Sequence, residues 1–325
     1  MAMKIFINIA SYRDPLLQNT VIEAYNNAKY KDSLVFGIVD QSYNKETFDI
    51  DSLPFNQQIR YLRVDPEYAR GACWARHLSQ TYYNGEDYYL QLDSHTLFDP
   101  DWDETLIDQF ADLKQYHSKP VLTAYPHVFT MDGTDYTKLT KKKYQGFIVI
   151  MSHPKFHNDG AEAFLNATSM VVNYDTSVHG YLLAAGFVFC SGTVVEEVPY
   201  DPYLYFSGEE HSLALRLWTH GYNIFHPRNL PLYTFYGNEY RKVVWGDAEL
   251  EQNRPVKWWQ YDRHSKEHLA RVVSGQDVGK YGLGWNRTIE QYRDWTGIDY
   301  LTRSVDPKAT NGRHIFMLDY KSQIP

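Results

Sequence analysis

The sequence predicts an α/β fold with a mainly parallel central sheet and a C-terminal helical extension. Three observations predict it. Apolar runs of strand length alternate with stretches of helical periodicity through the first half of the chain. The connections between them are short, which is the pattern of layered α/β proteins. Past Trp245 the composition changes and the text becomes charged and helical.

The elements follow in order. Lys4–Ala10 reads as a buried strand. Leu16–Tyr30 reads as a helix, with Leu16, Leu17, Val21, Ala24, Tyr25 and Ala28 near helical spacing. Asp14-Pro15 precedes it as an N-cap and a proline at the first turn. Leu34–Val39 and Gln58–Val64 read as strands, Arg70–Tyr83 as a helix and Tyr88–Asp93 as a short apolar strand. Asp99–Tyr116 is helical and Pro120–Pro126 extended. Thr130–Lys143 is polar, ends in three lysines, and is expected to be a solvated loop. Phe187–Val195 reads as a strand. Gly208–Gly221 reads as a helix closed by Gly221 as its C′ residue. Glu249–Gly275 is helical, and Val278–Gly297 carries a glycine turn and another helix.

Composition excludes several classes. The chain has 325 residues, 43% apolar and 22% charged, as globular proteins do. Its length suggests roughly two domains, or one large domain with an extension. The net charge of −8 argues against a nucleic-acid partner, whose phosphates call for clustered Lys and Arg. Cys73 and Cys190 are too few for a disulfide framework and are expected to be reduced core thiols. No run approaches a membrane span, and the first residues lack a signal-peptide pattern, so the expected location is cytoplasmic. The unusual feature is aromatic content: 28 Tyr, 16 Phe and 8 Trp.

Chemistry concentrates at predicted strand ends. Tyr88-Tyr89-Leu90-Gln91-Leu92-Asp93-Ser94-His95 ends an apolar strand in a carboxylate, followed two residues on by an imidazole. In open α/β sheets ligands bind beyond the carboxyl ends of strands. Carboxylate oxygen and imidazole nitrogen together suit Mn²⁺ or Mg²⁺. Ser11-Tyr12-Arg13-Asp14 follows the first strand, and Asp40 ends the second. Arg13 and Arg76 offer guanidinium charge for phosphates, and Tyr12 offers a ring or hydroxyl for a base. Between Val198 and Glu210 a stiff, aromatic loop opens a helix at Gly208-Glu209-Glu210. Its carboxylates suit a hydroxyl-rich substrate, although acidic residues also favour any helix N-terminus.

These motifs carry a family resemblance. Ile9–Asp14, Gly85–His95 with Phe98 and Trp102-Asp103, Glu197–Pro202, Phe206–Glu210, Leu215–Gly221, and Tyr281–Gly284 with Arg287-Thr288 match in order over nearly the whole chain. The sequence resembles the polypeptide N-acetylglucosaminyltransferases related to the cytoplasmic hydroxyproline-modifying enzyme (glycosyltransferase family 60-like). The resemblance implies a GT-A nucleotide-sugar transferase fold, with residues 1–245 as catalytic domain and 246–325 as helical extension. It implies a retaining, metal-dependent transfer of a sugar, expected to be N-acetylglucosamine, from its UDP donor to a polypeptide or glycan hydroxyl. By carry-over Asp93 and His95 hold the metal, and Asp93, Glu209 and Glu210 are the catalytic carboxylates. Ser11, Tyr12, Arg13, Asp40, Arg76 and Ser94 face the nucleotide. Tyr203, Tyr205, Phe206 and Trp218 are candidates for an acceptor wall.

Two positions depart from the family pattern. Thr234, in Tyr233-Thr234-Phe235-Tyr236, stands where a histidine is expected as third metal ligand. His226 is a possible replacement. Asp40 stands where the family places an uncharged residue. Two other readings stay open: a non-catalytic glycan-binding protein on a degenerate fold, favoured by Thr234, and a sugar transferase acting on modified DNA bases, opposed by the net charge.

Overall fold

The computed structural model describes residues 3–133, 135–156, 165–173, 175–237, 241–307 and 311–325. In the first half the elements run β1 (Ile5–Tyr12), α1 (Leu17–Asn27), β2 (Leu34–Gln41), β3 (Ile59–Val64), α2 (Ala72–Gln80), β4 (Tyr88–Asp93), β5 (Thr96–Phe98) and α3 (Trp102–Lys114). Then come β6 (Pro120–Thr123), β7 (His127–Asp132), β8 (Asp135–Lys142), β9 (Ile148–Phe156), β10 (Leu165–Val172), β11 (Val178–His179) and β12 (Phe187–Ser191). The chain continues through α4 (Val194–Glu197), α5 (Glu209–Thr219), β13 (Asn223–His226) and β14 (Leu232–Thr234). It closes with α6 (Ala248–Glu251), α7 (Trp258–Val273), α8 (Ile289–Thr296), β15 (Ile298–Asp299), β16 (Ser304–Val305) and α9 (Arg313–Phe316).

The central sheet has strand order β11-β13-β6-β12-β4-β1-β2-β3. β3, β2, β1 and β4 are mutually parallel. Every residue of β2 is buried, as expected for a strand covered on both faces. The parallel order reverses at β12, which runs antiparallel to both β4 and β6. Parallel pairing sends the ends of β1, β2 and β4 to the same sheet edge. Ala10 pairs with both Val39 and Asp93, so Ser11, Asp40 and Asp93 emerge side by side.

Three expectations need correction. The expected Thr130–Lys143 loop is largely an antiparallel pair, β7 with β8, in a second sheet of order β5-β14-β7-β8. Its lysines are partly fasteners: Lys141 Nζ donates to the Phe98 carbonyl and Lys143 Nζ pairs with Asp99 at 2.7 Å. The Phe187–Val195 strand ends at Ser191. Gly192 lies so close to the Glu86 carbonyl that a Cβ would sit 2.0 Å from it, and α4 starts beyond. The Glu249–Gly275 helix is two helices, interrupted around Pro255, whose ring has no N–H to continue α6. The β9–β10 hairpin was not foreseen.

Gly221 (φ +83°) ends α5 as expected, with Gly221 N–H donating to the Trp218 carbonyl and Tyr222 N–H to that of Leu217. Residues past 245 share an interior with α5: Leu215 and Trp218 pack with Tyr292, Ile298, Tyr300, Ile315 and Phe316. Among the described residues no helix is long and apolar enough to cross a membrane.

Candidate active site

A cavity of about 350 Å³ opens at the carboxyl edge of β1 and β4. Ser11, Tyr12, Asp14, Arg76, Asp93, Ser94, His95, Glu209 and Glu210 all line it. The geometry thus gathers four separate stretches of chain into one place.

The end of β4 sets the centre. Asp93 points one oxygen, Oδ1, at Arg76 Nη2, 2.8 Å away. Its Oδ2 lies 3.8 Å from His95 Nε2. Gly186 makes room, since a Cβ there would stand 2.6 Å from Asp93 Oδ2. His95 is held from behind by Asp14: Nδ1 lies 2.7 Å from Asp14 Oδ2, which also accepts from Ser94 Oγ at 2.7 Å. Burial opposes the charge on Asp14, but His95, Ser94 and the Leu16 N–H outweigh it and hold the carboxyl below its usual range. An ionised Asp14 accepts a hydrogen bond from His95 Nδ1–H and so turns the Nε2 lone pair toward the cavity, as in carboxylate–histidine–metal triads. Asp14, read as a helix cap at the end of the Ser11–Asp14 run, orients His95; nothing local in the sequence shows a partner 81 residues away.

The two glutamates at the start of α5 have different surroundings. Glu209 is buried and saturated. It accepts from Arg76 Nη1 at 3.1 Å, Tyr200 Oη at 2.9 Å and Cys73 Sγ at 2.9 Å. Among the described residues Glu210 accepts from the Ala185 N–H at 2.8 Å and Tyr125 Oη at 3.2 Å. Burial, reinforced by the charges of Glu209 and Asp93, pushes its carboxyl up to about 7.

Two expected nucleotide residues sit off the cavity wall. Asp40 is fully buried, and its Oδ2 accepts from Ser42, Thr47 and Tyr61 hydroxyls. Arg13, in a left-handed backbone conformation (φ +44°), turns away to pair with Glu46 and Asp247, each at 2.8 Å. Tyr12 also bonds Asp247 through its hydroxyl, at 2.8 Å. Arg76 does reach the cavity, but its two terminal nitrogens are spent on Asp93, Glu209 and Tyr200. His226 is excluded as a replacement ligand. It is fully buried, with Nδ1 2.8 Å from the Thr123 carbonyl and Nε2 accepting from the Met151 N–H at 3.3 Å. Thr234 lines the cavity, yet its hydroxyl donates to the His95 carbonyl at 3.4 Å.

Sequence reasoning missed the roof. Arg241, Lys242 and Trp245 line the cavity from the segment after β14. Arg241 Nη1 lies 3.2 Å from His95 Nε2 and 3.4 Å from Nδ1, over the imidazole. Trp245 and Phe206 lie 4.5 Å apart between ring centroids, both partly exposed. A basic pair beside an aromatic run gives no local signal of this placement.

The described residues contain no group of three or more His, Cys, Asp or Glu side chains set to hold a metal ion. Asp93 Oδ2 and His95 Nε2 remain as a candidate two-donor pair at the cavity, with Arg241 Nη1 3.2 Å from the nitrogen.

The family described as Glycosyltransferase (GlcNAc) matches residues 44–302. The chain belongs to this GlcNAc glycosyltransferase family. No curated protein matches it. Among solved structures, GalNAc-T7 with UDP, GalNAc and Mn²⁺ is similar at 14% identity and TM-score 0.59, over 94% of this chain and 59% of that one. S. aureus TarS 1–349 in complex with UDP-GlcNAc aligns at 13% identity and TM-score 0.46, over 96% of this chain and 82% of that one. The fold of this GlcNAc glycosyltransferase family member is GT-A. It spans somewhat over half the length of GalNAc-T7.

Proposed function

We propose that the protein transfers a sugar, N-acetylglucosamine by family membership, from a UDP donor to a hydroxyl on a polypeptide or glycan. The observation that carries this reading is the convergence of Asp14, Asp93 and His95 with Arg241 and Lys242 in one cavity at the β1/β4 edge. The resemblance to hydroxyproline-modifying enzymes, with its retention of configuration, belongs to this reading, as do residues 1–245 as the catalytic unit. Both cysteines are free and buried, in keeping with a reducing, cytoplasmic setting.

Asp93 and His95 fit a divalent cation that takes oxygen and nitrogen donors, Mn²⁺ or Mg²⁺. Such an ion, when bound, supplies Lewis-acid stabilisation of the departing diphosphate. Asp14 fixes the tautomer and orientation of His95. Arg241 and Lys242 bring positive charge to the diphosphate side, the task first expected of Arg13 and Arg76. Arg76 instead holds Asp93 and Glu209 in register. Ser11, Tyr12 and Ser94 form the nucleotide wall, with Asp40 and Arg13 bracing it from outside the cavity. Glu210, the less saturated carboxylate, faces the positive charge developing at the sugar.

The direct test is UDP release from a panel of UDP-sugars with and without Mn²⁺. Release from one donor is expected; silence with every donor and metal concentration contradicts the reading. Thr234 favours the alternative of a glycan-binding protein without turnover, and the same assay separates the two.

Two further outcomes follow. Asp14→Asn is expected to weaken Mn²⁺ binding to the UDP complex by about 10–100-fold, read by electron paramagnetic resonance. An unaltered Mn²⁺ affinity removes Asp14 from the site. Glu210 is neutral below its ionisation and charged above it, so transfer is expected to rise with pH through about 7 and level off. Glu210→Gln should lower the rate and lose that rise; a variant keeping the wild-type profile assigns the rise to another group.

A further inference from the structure

A second cavity, of about 530 Å³, is lined by residues adjacent in the chain to residues of the first. Arg70 and Tyr205 line the second cavity, while their chain neighbours Gly71 and Phe206 line the first. Gly71 (φ +88°) packs so closely that a Cβ would stand 2.3 Å from the Tyr205 carbonyl oxygen.

Its lining is unusually aromatic. Tyr203 is 62% exposed on the 199–208 loop. Tyr261 stacks on Tyr205, 5.9 Å between centroids. Tyr281 meets both Tyr203 and His77 edge to face. Trp74 carries the Arg70 guanidinium 5.4 Å from its ring centroid. His264 adds a further polar edge, and none of the lining residues is Asp or Glu.

We propose that this basin is a remote acceptor subsite holding a neutral or anionic saccharide, next to the hydroxyl that receives the new sugar. The inference rests on the transferase reading and names its acceptor class. Ring faces with polar rims suit a pyranose, which offers a C–H face for stacking and hydroxyls at its edge. Arg70 and the two histidines, with no carboxylate in the lining, disfavour a cationic ligand. Adjacency to the Phe206 wall lets one acceptor reach both cavities. This use also absorbs part of the aromatic excess, and explains why a large ring such as Tyr203 stays in solvent.

The test is a tryptophan-fluorescence titration of the full chain with chitotetraose, maltotetraose and a hyaluronan tetrasaccharide. Saturable binding of at least one is expected. Tyr203→Ala should weaken that binding at least tenfold, and Tyr203→Phe, which keeps the ring, should retain it. In transfer assays Tyr203→Ala should raise the KM for that saccharide far more than it lowers kcat. Thermal unfolding checks that the variant folds. Binding by none of the three, or binding indifferent to Tyr203→Ala, overturns the subsite. A Tyr203-dependent KM seen only with peptide acceptors overturns the saccharide assignment. Absence of UDP release from wild type removes the transferase reading, while the titration still decides the basin by itself.

Discussion

Asp93→Asn is expected to lower sugar transfer by about 10²–10³-fold, the scale of losing one group aimed at charge developing in the transition state. Asparagine keeps an oxygen for Arg76 Nη2, which Asp93 Oδ1 now meets at 2.8 Å, so the local packing survives. What it loses is the negative charge beside His95 Nε2. The variant is therefore expected to unfold near the wild-type temperature yet fail to gain activity as Mn²⁺ is raised. Near wild-type turnover in Asp93→Asn removes this residue from the centre of the site.

Glu209→Ala is expected to destabilise the protein by about 3–5 kcal/mol, the cost of breaking a buried charge pair from one side. Arg76 is 3% exposed and would keep only Asp93 as a charged partner. Tyr200 Oη and Cys73 Sγ would lose their shared acceptor. Glu209→Gln retains an acceptor oxygen and removes the charge alone, so its loss should be smaller. Denaturant unfolding of both variants reads the difference. Equal and negligible losses contradict the view that Glu209 organises Arg76, and return it to the role of a free catalytic carboxylate.

Local signals in the sequence were enough to bring the residues of the candidate centre to one sheet edge. Asp93 and His95 stand at the end of an apolar run, and parallel pairing brings Ser11 beside them, so strand-end reasoning sufficed. The helix with Gly221 at its end was equally local. Long-range partners were not legible. Asp14 meets His95, and Arg241 covers it, through contacts that no spacing rule encodes. Arg13 carries the charge a phosphate wants, but Glu46 and Asp247 compete for it. His226 has a metal ligand's chemistry, yet two backbone groups occupy its ring nitrogens. The β7–β8 pair was hidden because its lysine-rich strand gains from cross-strand hydrogen bonds and from Phe98 and Asp99, not from apolar alternation.

Asp93 and His95 are proposed to hold a cation that joins the protein to a nucleotide diphosphate. Calorimetric titration of UDP into the wild-type protein and His95→Ala, each with and without Mn²⁺, tests it most directly. Mn²⁺ is expected to strengthen UDP binding to wild type and to leave that of His95→Ala unchanged. UDP affinity that ignores Mn²⁺ in wild type, or Mn²⁺ enhancement that survives the loss of His95, contradicts it.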